Sequence, residues 1–108
     1  MPAIHLIEKR KLQRPVVHRV RGNGSVWTSG YWANIPESKA RSLIGWHIYF
    51  HEAQQEAAYL GGTITDYRFM PAGDEHEGRV EFTFTRDLQA KGVYAGADGW
   101  GNEKKLVA

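Results

Sequence analysis

Three large aromatic residues lie within six positions of the chain, at Trp27, Tyr31 and Trp32, with a Thr-Ser-Gly sequence after the first of them. Stacking of one such ring on a nucleobase contributes about 1 to 3 kcal/mol. A pocket for a single unstacked base needs aromatic walls and a few polar groups that read the base edge. The same rings would also fill the core of a small domain, although Thr-Ser-Gly is poor core material. The run therefore has two interpretations, a pocket wall or a core.

Polar side chains suited to reading a base edge accompany this run at Ser29, Asn34, His47 and His51. The two histidines are four residues apart, a spacing that on a helix would suit Zn²⁺. The intervening Ile-Tyr-Phe sequence is typical of a strand, in which residues four apart are about 13 Å from each other. We therefore predict no shared metal site and no cofactor, and the chain has no Cys to supply thiolate ligands.

Positive charge is concentrated before the aromatic run, although the net charge of the whole chain is only +2. Residues 9–21 contain no acid and hold Lys9, Arg10, Lys11, Arg14, Arg19 and Arg21. Such a cluster attracts polyanions, because neutralisation of phosphates supplies much of the affinity for nucleic acids. A solvated surface strand would have the same composition. These six residues are the predicted contacts to a nucleic-acid backbone.

The sequence lacks the motifs of common enzyme classes. No Gly-x-Ser-x-Gly elbow surrounds Ser25 or Ser29. Gly22-x-Gly24 has neither the third glycine of a dinucleotide-binding loop nor the lysine of a P-loop. The carboxylates have no partner that would raise one pKa and leave another ionised, as acid/base catalysis requires. The residues thus favour a binding module over an enzyme.

The length of 108 residues and the hydrophobic content of 42% fit one globular domain over residues 1–108. No apolar run approaches the roughly 18 to 20 residues of a membrane span. The first residues do not have the pattern of a signal peptide. We therefore expect a cytoplasmic protein with no membrane partner.

Alternating or β-branched residues predict five or six strands, over residues 4–7, 15–21, 46–51, 59–69, 78–86 and 103–108. In the clearest strand, Val80, Phe82 and Phe84 would face a core. Pro36 near its start and Gly45 after its end predict a short helix over residues 36–44. Residues 52–58 also have high helix propensity. So many short strands favour a small barrel or a half-open sheet with a helix packed on it.

The aromatic run, the short helix, the Gly-Trp-His-Ile-Tyr-Phe-His sequence at 45–51 and the Leu-Gly-Gly-Thr-Ile sequence at 60–64 resemble the PUA-like superfamily, particularly its ASCH and EVE branches. The resemblance covers residues 26–68. Trp46 stands where the family has Asp, and the Arg-Asn-Tyr-like run of EVE loops and the Gly-x-Lys-x-x-Glu-x-Arg-like element of ASCH domains are missing. The resemblance implies an α+β, mainly β fold, a small PUA-like β-barrel whose central cleft takes a nucleobase, often modified, or contacts RNA.

We therefore expect a module that binds nucleic acid (RNA or DNA) or a modified nucleobase. Its pocket would be lined by Trp27, Ser29, Tyr31 and Trp32, with His47 or His51 at the rim. A first alternative, which the resemblance also implies, is a small ASCH-type hydrolase acting on a nucleoside amide or RNA, with Lys39, His47 and Glu81 as candidates. A second alternative is a protein-interaction or inhibitor module of mobile-element type, for which the acidic loop at residues 74–77 and the basic stretch are equally good contacts to the partner.

Overall fold

The computed structural model describes residues 2–7, 21–96, 100–101 and 104–107. The elements in these residues are β1 (Ala3–Ile7), β2 (Arg21–Asn23), β3 (Val26–Trp32), α1 (Glu37–Ser42), β4 (His47–His51), β5 (Leu60–Phe69), β6 (Val80–Arg86), a 3₁₀ helix (Leu88–Ala90) and β7 (Lys104–Val107). The described chain is thus mainly β with a small helical part, as the sequence predicts. None of its helices has the length and apolarity needed to cross a membrane.

The seven described strands form one mixed sheet in the order β2-β3-β6-β5-β4-β1-β7. β1 is parallel to β4, and the other neighbouring pairs in this order are antiparallel. A two-residue turn with Gly24 in the left-handed region (φ 67°) joins β2 to β3. This hairpin confirms the turn that the Asn-Gly sequence predicts.

One face of the sheet carries the hydrophobic core. Val80, Phe82 and Phe84 are fully buried, as their alternation along β6 predicts. The ring of Phe84 lies 5.4 Å from that of Phe50 on β4, with β5 between the two strands. Helix α1 and its C-terminal flank cover this face, and Ala40 and Leu43 become inaccessible to solvent. The predicted short helix therefore packs on the core face of the sheet and shields it from solvent.

The sheet is curled, and its two ends approach each other. Lys104 Nζ, on the edge strand β7, donates a hydrogen bond to the carbonyl oxygen of Asn34, two residues after β3. Five strand-to-strand steps separate β3 from β7, about 24 Å in a flat sheet and far more than a lysine side chain spans. In the described part of the chain no backbone pairing joins β2 to β7. The structure is therefore a curled but open sheet, and the closed barrel is not confirmed.

One segment differs from the sequence-based expectation, a second forms a strand where no element was predicted, and a third lies outside the described residues. Residues 52–58 form turns and bends instead of a helix. The reason is competition from tertiary contacts, since the Ala58 amide donates to Val93 O and the Glu56 carbonyl accepts from the His51 ring. The aromatic run is strand β3, with a bulge between Thr28 and Tyr31. Of the predicted strand at 15–21, all but Arg21 lies outside the described residues.

Candidate functional site

The six residues predicted to line a base pocket lie on two strands that are not neighbours. Trp27, Ser29, Tyr31 and Trp32 are on β3, whereas His47 and His51 are on β4. Strands β6 and β5 lie between these two strands. Three strand spacings amount to about 14 Å in a sheet. The structure therefore does not bring the two groups together in one pocket.

Ser29 and Trp32 are buried and hold the bulge of β3 in place. Ser29 Oγ accepts a hydrogen bond from the Phe82 amide (2.9 Å) and donates to the Gly30 carbonyl oxygen (2.9 Å). Trp32 Nε1 donates to the Ser29 carbonyl oxygen at 2.9 Å. Gly30 adopts φ 78°, which a glycine tolerates without strain. Two of the predicted pocket residues thus satisfy buried backbone groups where the ladder is interrupted.

Trp27 and Tyr31 keep part of their surface exposed, near opposite ends of β3. The Trp27 ring packs against the core, and the Arg86 guanidinium carbon lies 5.7 Å from its centroid, within cation–π range. Tyr31 stacks on His76 of the β5–β6 loop, with centroids 3.9 Å apart and planes 16° from parallel. These two rings are the accessible members of the aromatic run.

His51 takes part in a buried cluster that we call the histidine cluster, formed by His5, Tyr49, His51 and Trp100. His5 Nδ1 and His51 Nε2 are 2.9 Å apart, and His51 Nδ1 is 2.8 Å from the Glu56 carbonyl oxygen. A carbonyl only accepts, so His51 Nδ1 carries a proton. In a neutral His51, Nε2 is then the acceptor, and His5 Nδ1 donates to it. One backbone carbonyl thus sets the tautomers of both imidazoles.

The two histidines of the cluster are buried, whereas Tyr49 and Trp100 keep part of their surface exposed. His5 is 4% exposed and His51 is 0% exposed. Tyr49 stacks on His5 at 4.9 Å, and the edge of Trp100 lies against both histidine rings. Burial, and then the nearby His51 and Lys105, lower the pKa of His5 from 6.5 to about 4, and burial also lowers the pKa of His51. Both rings are therefore neutral near pH 7 and shielded from any substrate.

The residues considered for a hydrolase do not converge either. Lys39, on α1, lies over the ring of Trp46 at 5.6 Å. Glu81 pairs with Arg68 at 3.3 Å, and His47 stacks on Tyr49 at a centroid distance of 6.1 Å. Within the described ranges there is no group of three or more His, Cys, Asp or Glu side chains that could hold a metal ion. Lys39, His47 and Glu81 thus each contact a different described partner.

An open cavity of about 440 Å³ lies where the chain enters α1 and where β5 and β6 are joined. We call it the mouth cavity, and its lining residues are Asn34, Ile35, Pro36, Phe69 and Gly78. The Phe69 ring and Pro36 form apolar walls, and the Asn34 amide is the polar side chain of the lining. Ile35 anchors the cavity to the core, since it is only 3% exposed.

Asn34 is held in an unusual backbone conformation at this cavity. Its φ of 64° lies in the left-handed region, which asparagine tolerates better than most residues. Its carbonyl oxygen accepts the hydrogen bond from Lys104. Among the described residues, no hydrogen bond engages its side-chain amide. The amide therefore has both a donor and an acceptor available to a ligand.

The predicted backbone contacts lie almost entirely beyond the described residues. Lys9, Arg10, Lys11, Arg14 and Arg19 fall in the range 8–20, of which nothing is described. Arg21 is the first residue of β2, and its backbone pairs with Thr28 of β3. The basic segment of the sequence thus leads directly into the edge strand of the sheet.

No protein-family model, no curated protein and no solved structure matches this chain.

The sequence pattern indicated Asn34 as a possible reader of a base edge but did not indicate Phe69 or Lys104. The available signals were weak ones: Asn two residues before a proline, and an aromatic residue at the end of an alternating strand.

Proposed function

We propose that the protein binds nucleic acid by holding a single unstacked nucleobase in the mouth cavity, while the basic segment at residues 9–21 neutralises the adjoining phosphates. This proposal keeps the class of ligand that the sequence suggests and changes the location of the pocket. A PUA-like origin of the fold belongs to the same proposal. It is supported by the mainly β fold with a short helix over its core, although the sheet is open and is not the closed barrel that the resemblance implies.

The observation that carries the proposal is an aromatic wall and an uncommitted amide in one cavity. A volume of about 440 Å³ falls within the range of small-molecule pockets, about 300 to 1,000 Å³. Phe69 is the half-buried aromatic residue of the lining, and its accessible surface would stack on the base. An asparagine amide presents a donor beside an acceptor, the pattern that pairs with the edge of a base. Outside the cavity lining, Tyr31 and His76 stack on each other near the end of β3.

Fluorescence anisotropy with labelled single-stranded and double-stranded RNA and DNA oligonucleotides tests the proposal. Asn34→Gly removes the amide and keeps a residue that accepts φ 64°. Loss of one hydrogen bond and of the base-edge readout is expected to weaken binding about tenfold. Phe69→Ala is expected to weaken it by a similar factor. Tyr94→Ala is the matched control, because Tyr94 is an exposed aromatic residue (69%) outside the cavity lining.

Two outcomes of the binding measurements would contradict the proposal. Wild-type affinity in both Asn34→Gly and Phe69→Ala would show that the mouth cavity is not the site. No binding of any oligonucleotide at low salt would refute nucleic-acid recognition altogether. The basic segment is tested separately by the double change of Lys9 and Arg10 to Ala, which is expected to reduce the slope of log affinity against log salt by about two.

A further inference from the structure

Lys104 is a half-buried cation beside the mouth cavity. Its ammonium group donates to the carbonyl oxygen of Asn34, a residue that lines the cavity. In the described part of the chain, Lys104 forms no ion pair with a carboxylate. Burial lowers the pKa of this ammonium. The charge is therefore partly desolvated, and the described residues supply no carboxylate as its counterion.

An ammonium group has three N–H donors, and Asn34 takes one of them. A cation that has lost part of its hydration is stabilised by an anion or by further acceptors. If Lys104 only connected the two ends of the sheet, the hydrogen bond to Asn34 would be sufficient. An uncompensated charge would not make that connection more stable. The Lys104 ammonium group is thus suited to bind an anionic group of a ligand that occupies the mouth cavity.

We propose that Lys104 forms an anion subsite of the mouth cavity, so that the ligand is a nucleotide whose base enters the cavity and whose phosphate binds the ammonium group. This inference rests on the proposed function and deepens it, because it distinguishes a nucleotide from a free base or a nucleoside. The nucleotide can be free or can belong to a strand, since the same phosphate chemistry serves both.

Calorimetric titration with the four nucleosides, their 5′-monophosphates and inorganic phosphate tests the inference. The best monophosphate is expected to bind at least about tenfold more tightly than its nucleoside, because a charge-assisted hydrogen bond is added. Lys104→Met keeps the aliphatic stem and is expected to abolish this difference, whereas Lys104→Arg retains most of it. Lys105→Met is the matched control, because Lys105 also donates to a backbone carbonyl, that of Ala95, but does not contact the cavity lining.

The outcomes separate the two proposals. Nucleosides that bind as tightly as monophosphates, or a difference that survives in Lys104→Met, would overturn the subsite and leave the base pocket intact. Inorganic phosphate that binds as tightly as a monophosphate would overturn the assignment to a nucleotide. Absence of binding by every nucleoside, monophosphate and oligonucleotide would refute the proposed function and the subsite together. Comparison of a labelled oligonucleotide with the monophosphate then tells a strand from a free nucleotide. Thermal unfolding of Lys104→Met and Lys104→Arg checks that both variants fold.

Discussion

The two histidines of the histidine cluster lie on β1 and β4, whereas the mouth cavity lies where the chain enters α1 and where β5 and β6 are joined, and each region combines polar groups with aromatic rings. In the histidine cluster the imidazole N–H groups have described acceptors, because His5 donates to the His51 ring and His51 donates to the Glu56 carbonyl oxygen. In the mouth cavity the polar capacity of Asn34 and Lys104 is only partly used. The first arrangement stabilises the fold, and the second is available to a ligand.

This difference is the opposite of what residue types alone suggest. Histidine is the side chain most often associated with catalysis near neutral pH. Here burial lowers the pKa of His5 and His51 and makes them a neutral structural pair. The candidate site is instead built from an asparagine, a phenylalanine and a lysine. Accessibility and unused hydrogen-bonding capacity, and not residue type, separate the two regions.

Among the changes that test this difference between the two regions, His51→Ala is expected to lower the free energy of unfolding most. The change leaves a buried void and an unpaired His5 Nδ1, so we expect the free energy of unfolding to fall by about 3 kcal/mol. His47→Ala, on the same strand but partly exposed, is the control and is expected to cost less than about 1 kcal/mol. Urea denaturation followed by circular dichroism measures both. Equal effects of the two changes would show that the His5–His51 pair is not a stabilising unit.

An intermediate effect is expected from pH. Because His5 has a pKa of about 4 in the fold against 6.5 ordinarily, the unfolded chain binds more protons between these values. The part of the unfolding free energy that is linked to His5 is therefore fully present above about pH 6.5 and is lost as the pH falls towards 4. His5 alone accounts for about 2 kcal/mol between roughly pH 7.5 and pH 5, and the lowered pKa of His51 acts in the same direction.

Urea midpoints measured across this pH range test the effect, with His5→Gln as the comparison variant. The variant is expected to be less stable at neutral pH and to show a flatter pH dependence than the wild type. An unchanged pH dependence in His5→Gln would show that His5 is not the group that titrates.

The smallest expected effect concerns Ser29, which the sequence assigned to the pocket. Ser29→Ala removes the acceptor of the buried Phe82 amide, so a loss of about 1 to 2 kcal/mol in unfolding free energy is expected. Oligonucleotide affinity should not change, because Ser29 does not line the mouth cavity. Ser42→Ala is the control, since Ser42 also donates to a backbone carbonyl but at an exposed position. Weaker binding in Ser29→Ala with unchanged stability would restore the pocket predicted on β3.

Much of the fold follows from local pattern. The period of two at Val80, Phe82 and Phe84 predicts the buried face of β6, and the Pro and Gly near its ends predict α1. These predictions succeed because side-chain alternation and helix-end preferences act over a few residues. The helix expected at 52–58 fails for the converse reason. Its backbone groups are taken by His51 and Val93, which no local propensity can anticipate.

The sequence by itself determined the class of the fold, the positions of most strands and the aromatic and basic segments that suggest a nucleic-acid ligand. Only the tertiary structure decided which polar groups pair and which stay available. The His5–His51 contact joins residues 46 apart, and the Lys104–Asn34 contact joins residues 70 apart. Such contacts depend on the order of strands in the sheet and on its curl. Both are set by the burial of the whole core at once, and not by the preferences of any one segment.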